Sequence, residues 1–506
     1  MPKRTCFYPG KMSLRNAADE GQSALPDYNH PVTMSPRLLV TLSLLLSLAA
    51  SAFAADKPNF VVFLVDDMGW GDVAAYDSVY HETPHIDRLA AEGMKFNQAY
   101  AACAVCSPSR AAILTGQYPA RLRLTDWIPG HKRPHGKLKV PDWTMYMEHE
   151  RVTLAEALQE AGYRTQFIGK WHLLPVPYPE EWDNHYPDKH GFDSNIGGRE
   201  WGQPKGPGKY FYPFGMPNLE GKEGDYLTDA LTDSAVAFIE NAEKDDPFLL
   251  YFAYYTVHGP IIAKDDITDK YTAKTEFNEN DKTDYPAADK YAAMVQSLDE
   301  SVGRVVSALE AQGLDEDTVI LFTSDNGGVY SRGNNGSFRD GKATPYEGGI
   351  REPLIVKWPG AIEPGSESET PVIGTDIYPT LLDIAGLKLK PREHRDGLSL
   401  VPLLRQQGEL KRDALYWHYP HYHKANPYSA MRDGDLKLIE YFEDGRLELY
   451  DLANDPTEST DLAQSKPEVA KRLHRKLERW RKRIGAQMMS PNPDYDPDAK
   501  WRRPQG

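Results

Sequence analysis

The run Asn59–Val65, NFVVFLV, carries no polar side chain after its first residue and is rich in β-branched and aromatic ones. A strand with one face on water alternates apolar with polar. A run that is apolar on both faces belongs inside a sheet covered on both sides, and such sheets are mostly parallel with helices packed over them. The run ends abruptly at Asp66-Asp67-Met68-Gly69.

The theme recurs up to about residue 400. Thr83-Pro84 opens a helix that stops at Gly93. Thr153-Leu154-Ala155-Glu156 is a capping box, with Gly162 as the stop and a strand at Thr165–Ile168 after it. A helix over Leu227–Glu240 leads into a strand over Phe248–Tyr254. Tyr291, Met294, Val295, Leu298, Val302, Val305, Val306 and Leu309 keep helical spacing as far as Gly313. A strand over Thr318–Thr323 then runs into Ser324-Asp325-Asn326-Gly327-Gly328, and Leu354–Lys357 closes the series. Strands alternating with helices predict an α/β fold around a large, mostly parallel sheet. Ligands of such sheets gather at the carboxyl ends of strands, where Asp66-Asp67, His258 and Asp325-Asn326 all fall.

Beyond that point short strands and tight turns at Asp433-Gly434 and Asp444-Gly445, followed by a helix over Pro467–Arg483, predict a smaller antiparallel-sheet subdomain. The expected organisation is a catalytic domain at 56–405, the subdomain at 406–485, and a polar, Pro-rich tail at 486–506 that lies along the surface or moves. At the other end, Leu38–Ala55 reads LLVTLSLLLSLAASAFAA, with Arg37 before it and Ala52-Phe53-Ala54 closing it. That is the pattern of a cleaved secretory signal, placed at 34–54; an N-terminal membrane anchor is the bland alternative. Met34 is the better start, which makes residues 1–33 an extension foreign to the native protein. The expectation is an exported protein, periplasmic or extracellular in a bacterial source, with no stable membrane span after cleavage.

Two compositional facts narrow the function. The net charge of -16 argues against a nucleic-acid partner. Three cysteines, Cys6, Cys103 and Cys106, are too few for a disulfide scaffold, although Cys103 and Cys106 have the spacing of a redox pair. Adjacent carboxylates at Asp66 and Asp67 repel unless a cation neutralises them. Asp325 and Asn326 add two oxygen donors in the same topological position. An all-oxygen set suits calcium or magnesium rather than zinc. Pro108 suits the first turn of a helix, which puts Cys106 beside the positive N-terminus and predicts an acidic, reactive thiol.

The stretch Cys106-Ser107-Pro108-Ser109-Arg110-Ala111-Ala112-Ile113-Leu114-Thr115-Gly116 resembles the signature of the type I sulfatases, C-x-P-S-R followed by x-x-x-L-T-G. Gly162-Tyr163-Arg164-Thr165 through Gly169-Lys170-Trp171-His172 resembles the family's second signature. Asp66-Asp67-Met68-Gly69, Thr256-Val257-His258-Gly259-Pro260, Ser324-Asp325-Asn326-Gly327 and Gly341-Lys342 through Glu352-Pro353 resemble its remaining motifs, in family order. The resemblance covers roughly residues 58–453 and implies an alkaline-phosphatase-like fold. It implies that Cys106 is oxidised to Cα-formylglycine by a formylglycine-generating maturation enzyme. It implies one calcium ion held by Asp66, Asp67, Asp325, Asn326 and the oxidised residue 106. By the same token, Arg110 orients the aldehyde hydrate, Lys170 and Lys342 clamp sulfate oxygens, His172 assists sulfate release, and His258 protonates the leaving alcohol. Cys103 then has no redox partner and reads as a small buried residue.

The motifs fix the sulfate end of a substrate, a sulfated carbohydrate or aryl sulfate. Arg199 and Trp201, with Gly202 beside them, and His418, His421 and His423 are the candidates for the sugar side, because aromatic and imidazole groups suit a sugar ring. Asn335-Gly336-Ser337 has the form of a glycosylation site. The rival readings are a phosphomonoester or phosphonate-ester hydrolase of the same superfamily, and a non-catalytic glycan-binding relative.

Overall fold

A computed structural model describes residues 57–278, 281 and 283–500. The expected signal at 34–54, the extension at 1–33 with Cys6, and the last six residues of the tail lie outside the described residues.

Strand β1, Asn59–Val65, is buried along its whole length. Its side chains alternate between two cores: Val61, Phe63 and Val65 enter one, and Phe60, Val62 and Leu64 enter the other. The pleat explains the sequence, since both faces are covered. The first core is closed by helices Leu227–Glu240 and Ala288–Gln312. The second is closed by Cys106–Thr115, Leu154–Glu160 and Ile377–Ile384. Burying one large apolar side chain contributes about 1.5–3 kcal/mol, so β1 alone anchors much of both layers.

The other strands of this sheet are β2 (Met94–Tyr100), β3 (Arg164–Gly169), β4 (Ser194–Ile196), β5 (Phe248–Ala253), β6 (Thr318–Ser324), β7 (Arg351–Lys357), β8 (Ser366–Ser368) and β9 (Val372–Ile373). The order is β9-β2-β7-β6-β1-β5-β3-β4, with β8 also paired to β2. β1 runs parallel to β5 and β6, with Val62 opposite Tyr251 and Leu321. β7 runs antiparallel to both of its neighbours. The expected strand at Leu354–Lys357 therefore starts earlier, at Arg351, and breaks the parallel pattern.

The second sheet is an antiparallel meander of β10 (Leu415–Tyr419), β11 (Tyr428–Asp433), β12 (Leu436–Tyr441) and β13 (Leu447–Asp451). Helix Pro467–Ile484 buries Leu473, Leu477 and Trp480 over it. Trp480 stacks on Tyr416 at 4.6 Å. Val105, Ala112 and Tyr118 belong to the same hydrophobic cluster as Trp417, Met431 and Leu438, so this sheet backs the helix that begins at Cys106. Trp417 Nε1 donates to Ala101 O at 2.8 Å.

The tail lies along the surface. Ser490–Pro491 pairs antiparallel with Leu138–Lys139. Asn492 Nδ2 donates to Pro134 O and Gly136 O, each at 2.7 Å. Among the described residues no helix is long and apolar enough to cross a membrane.

Candidate active site

β1 and β6 are neighbours, so the residues that follow them meet. Asp325 N donates to Val65 O at 3.0 Å and Asp66 N to Thr256 O at 3.1 Å, which ties three strand exits together. Asp67 takes φ 62°, a conformation that Asp tolerates better than most residues. Its amide donates to Asp325 Oδ1 at 3.2 Å. Three carboxylates thus share one dry spot, with Asp66 and Asp325 fully buried and Asp67 3% exposed.

Extended Val105 leads into the helix Cys106–Thr115, which Gly116 ends at φ 61°. Pro108 sits in its first turn, where a missing N–H costs nothing. Cys106 is the first residue of the helix, as expected, but its thiol is not acidic. Burial outweighs Lys170 and Lys342 and pushes it up to about 12. A sulfur in that state is a poor nucleophile at neutral pH. Cys103 is buried, and neither cysteine forms a disulfide.

The cations answer the carboxylates one for one. Arg110, on the same helix, donates from Nε to Asp325 Oδ2 at 2.8 Å and from Nη1 to Lys170 O at 2.9 Å. Lys170, just beyond β3, places Nζ 2.6 Å from Asp66 Oδ2, both side chains wholly buried. Lys342 Nζ binds Asp67 Oδ1 and stands 3.1 Å from Cys106 Sγ. Burial alone would raise the Asp67 carboxyl, but Lys342, His258 and Lys170 hold it well below the usual range. Burial wins at Asp325, against Arg110, and raises that carboxyl to about 6.

The two histidines each commit one ring nitrogen. His258 Nδ1 donates to Gly259 O at 2.8 Å, which leaves Nε2 3.5 Å from Asp67 Oδ2. His172 Nε2 donates to Ile128 O at 2.6 Å, and Nδ1 has no hydrogen-bond partner. Burial lowers both, His258 to about 3. A β-carbon at Gly202 would meet the His172 ring at 2.7 Å, so only glycine lets that loop approach.

The donor set fits a hard divalent cation. Asp66 Oδ1 and Asn326 Oδ1 are buried oxygens with no hydrogen-bond partner, although Arg110 Nη2 stands 3.6 Å from the first. Asn326 Nδ2 is already used on Asp67 Oδ1 at 2.8 Å and Gly327 O at 3.0 Å. Leaving a buried acceptor unpaired costs about 1–3 kcal/mol, and more when it is charged. Ligand atoms of Asp66, Asp67, Cys106 and His258 also lie within 4.8 Å of one another.

Above this floor opens a cleft of about 410 Å³. Asp67, Cys106, His172, His258 and Lys342 form its base, and Trp127, His131 and His423 form an aromatic wall. Of the five residues expected on the sugar side, the structure brings His423 to the cleft. Arg199 instead lies over the Trp201 ring at 4.9 Å and pairs with Glu200, away from the cleft. Trp201 packs against the first core. His418 is held at both nitrogens, by Ser429 Oγ at 2.7 Å and Gln487 O at 2.8 Å. His421 Nε2 meets Thr125 Oγ1 at 2.8 Å, and Nδ1 faces Asp126 Oδ2 at 3.6 Å. With Tyr419, it braces the loop that presents Trp127.

Trp127, His131, Lys205, Arg332 and Lys424 also line the cleft without having been expected there. Lys424 follows His423 directly, so the neighbouring segment pointed to it. Trp127 and His131 sit in a loop without periodicity and gave no signal. Asn335 of the glycosylation-like triplet is buried, and its amide bonds to Gly328 N, Gly328 O and Asp340 O. It is therefore closed to glycosylation in the folded chain.

Comparison with known proteins agrees with this geometry. The model of the sulfatase family matches residues 58–387, and that of the C-terminal part of N-sulphoglucosamine sulphohydrolase matches 333–483. A sulfatase of Formosa agariphila is 34% identical, over 87% of this chain and 92% of its own. The N-acetylgalactosamine-6-sulfatase of Mus musculus is 33% identical, over 80% and 76%. Among solved structures, Ps i-CgsB in complex with k-i-k-neocarrahexaose has a TM-score of 0.68 and 29% identity, covering 87% of this chain and 94% of that one. With the alkaline-phosphatase-like fold and the site at its strand ends, this chain belongs to the type I sulfatase family and is a sulfuric ester hydrolase.

Proposed function

We propose that the chain is an exported hydrolase of sulfate esters on carbohydrates, with formylglycine formed from Cys106 as nucleophile and calcium as its metal ion. The observation that carries the reading is the pair of buried oxygens without a hydrogen bond, Asp66 Oδ1 (3.6 Å from Arg110 Nη2) and Asn326 Oδ1, beside a cysteine whose own thiol is unfit to attack. The carbohydrate side is supported by the relatives named above, one an N-acetylgalactosamine-6-sulfatase and one bound to a neocarrahexaose.

Asp66, Asp67, Asp325 and Asn326 would hold the cation, which supplies positive charge to polarise the sulfuryl group. The sulfur of Cys106 stands where the oxygens of an aldehyde hydrate would sit. That hydrate would supply one hydroxyl as nucleophile and a second whose proton loss releases sulfate. Arg110, locked on Asp325 and the Lys170 carbonyl, keeps the helix start in register with the carboxylates. Lys170 and Lys342 follow the charge that moves onto the sulfuryl oxygens. His258, pinned at Nδ1, turns Nε2 to the departing alcohol, and the negative charge of an arriving sulfate favours its protonated form. His172 Nδ1, without a hydrogen-bond partner in the protein, would take the proton whose loss frees sulfate.

The test is maturation in a host with a formylglycine-generating enzyme, followed by mass measurement of the tryptic peptide Phe96–Arg110 and assays on paired aryl sulfate and aryl phosphate. Sulfur replaced by oxygen with loss of two hydrogens, and a preference for sulfate, are expected. Intact Cys106 in an active enzyme, or a clear preference for phosphate, would overturn the reading.

A further inference from the structure

A second group of ligating side chains stands away from the cleft. His149 lies in the loop before the helix Leu154–Glu160. His185 and His190 end the short turns Pro179–Asn184 and Pro187–Lys189. The three rings are layered, with His149 between the other two. Its centroid is 4.8 Å from that of His185 and 4.9 Å from that of His190, while those two stand 6.1 Å apart. One ligand nitrogen from each lies within 4.8 Å of the others.

Ring packing leaves the polar side of this cluster unexplained. His190 is 0% exposed, yet neither of its ring nitrogens has a hydrogen-bond partner. Every imidazole carries at least one donor, and in the neutral form one acceptor, so leaving both unanswered in a dry place is unfavourable. His185 Nδ1 stands 3.1 Å from Met147 O and meets that carbonyl as an N–H. In the neutral ring the lone pair is then on Nε2. A histidine held by one nitrogen on a carbonyl, with the other left to ligate, is the usual arrangement around a bound metal. Burial, with His149 and His185 beside it, lowers His190 to about 3, which keeps it neutral and able to ligate. His149 is exposed, so an ion can reach the group from solvent.

We infer that His149, His185 and His190 bind a second metal ion, of the zinc class, apart from the cation of the active site. Imidazole nitrogens suit zinc, nickel or copper, whereas calcium takes oxygen. Zinc accepts three histidines with a water in the fourth position. Zn–N bonds of about 2.0–2.1 Å set tetrahedral ligands roughly 3.3 Å apart, so the widest gap of 4.8 Å closes by roughly 1.5 Å. A rotation of the exposed His149 side chain supplies that movement. The ion would clip the three segments together around Trp171, whose Nε1 donates to His185 O at 3.0 Å and whose ring is 5.7 Å from that of His190. Trp171 stands between Lys170 and His172, so the clip would stiffen the backbone that carries both.

The test uses the full-length enzyme kept in calcium and reads no turnover, so it stands or falls apart from the sulfatase reading. Zinc is titrated by calorimetry, and the melting temperature is measured with and without it. The unaltered chain should bind one zinc and melt a few degrees higher in its presence. Cobalt(II) in place of zinc should show the visible absorption of a tetrahedral site. His149→Ala, at an exposed position, should fold normally, bind zinc at least about tenfold more weakly and lose the rise in melting temperature. Absence of zinc uptake by the unaltered chain would overturn the site and leave the three rings as a packing cluster. Zinc binding that survives His149→Ala undiminished would place the ion on the carboxylate floor and overturn it equally.

Discussion

The histidines of the cleft floor and those of the C-terminal subdomain are alike in their lowered pKa and different in setting. His258 and His421 are both pushed down to about 3 by desolvation. His258 spends one nitrogen on a backbone carbonyl and faces the cleft with the other. His421 spends one on Thr125 and turns the other to Asp126; His418 is bonded at both. A displaced pKa therefore does not separate the two, and neither does the second nitrogen, which faces a carboxylate in both, Asp67 at 3.5 Å and Asp126 at 3.6 Å. What separates them is that His258 lines the cleft and His421 does not.

The largest effect on this contrast is expected from Cys106→Ala. It should abolish turnover while shifting the melting temperature by only about a few degrees, since one small side chain is lost. Retained activity would remove residue 106 from the chemistry and the floor from its special status. Next, His258→Ala should cost about 10²–10⁴-fold on unactivated sugar sulfates. The loss should be much smaller on aryl sulfates, whose leaving group departs without help. Equal losses would argue against general-acid work. Asp325→Ala should lower metal occupancy and leave Arg110 with only the longer carboxylate contact, to Asp66, a loss of up to about 3–5 kcal/mol in denaturant unfolding. Unchanged metal content would contradict its ligand role. His418→Ala should leave kcat/KM within about twofold and cost about 1–3 kcal/mol of stability, because Ser429 and Gln487 lose their partner. A large kinetic loss would erase the distinction between the two regions.

Acid sharpens the comparison from the other side. His418, held near 4, and His421, near 3, stay neutral in the folded chain at pH values where the unfolded chain protonates them. Below about pH 6.5 the unfolded state binds more protons, so stability falls with pH by up to about 1.4 kcal/mol per unit for each such histidine. His418→Gln should flatten that slope between pH 6.5 and 4 in unfolding measurements, and an unaltered slope would assign it elsewhere.

The sequence exposed the elements whose two faces are both covered. β1, β5 and β6 stand out as apolar runs, and the helix at Ala288–Gln312 shows its buried stripe. β2, MKFNQAY, was not legible because three of its seven residues are only partly buried and its pattern is mixed. The direction of β7 was hidden because an apolar run looks the same in either orientation. The catalytic floor was legible because its chemistry demands fixed residue types next to strand ends. Much of the cleft above it was not, since Trp127, His131, Arg332 and Lys205 are contributed singly by loops that no period marks. His418 and His421 misled because β10, LYWHY, continues into a loop of similar composition, and only tertiary packing separates the two.

The strap formed by Ser490–Pro491 and Asn492 holds Leu138–Lys139 and the carbonyls of Pro134 and Gly136, a few residues beyond Trp127 and His131. Gln487, on the way to it, anchors His418. A premature stop after Gly485 would spare every motif of the floor and both sheets, yet remove this brace. The segment after His131 would then lose its outer support while the floor of the cleft kept its own contacts.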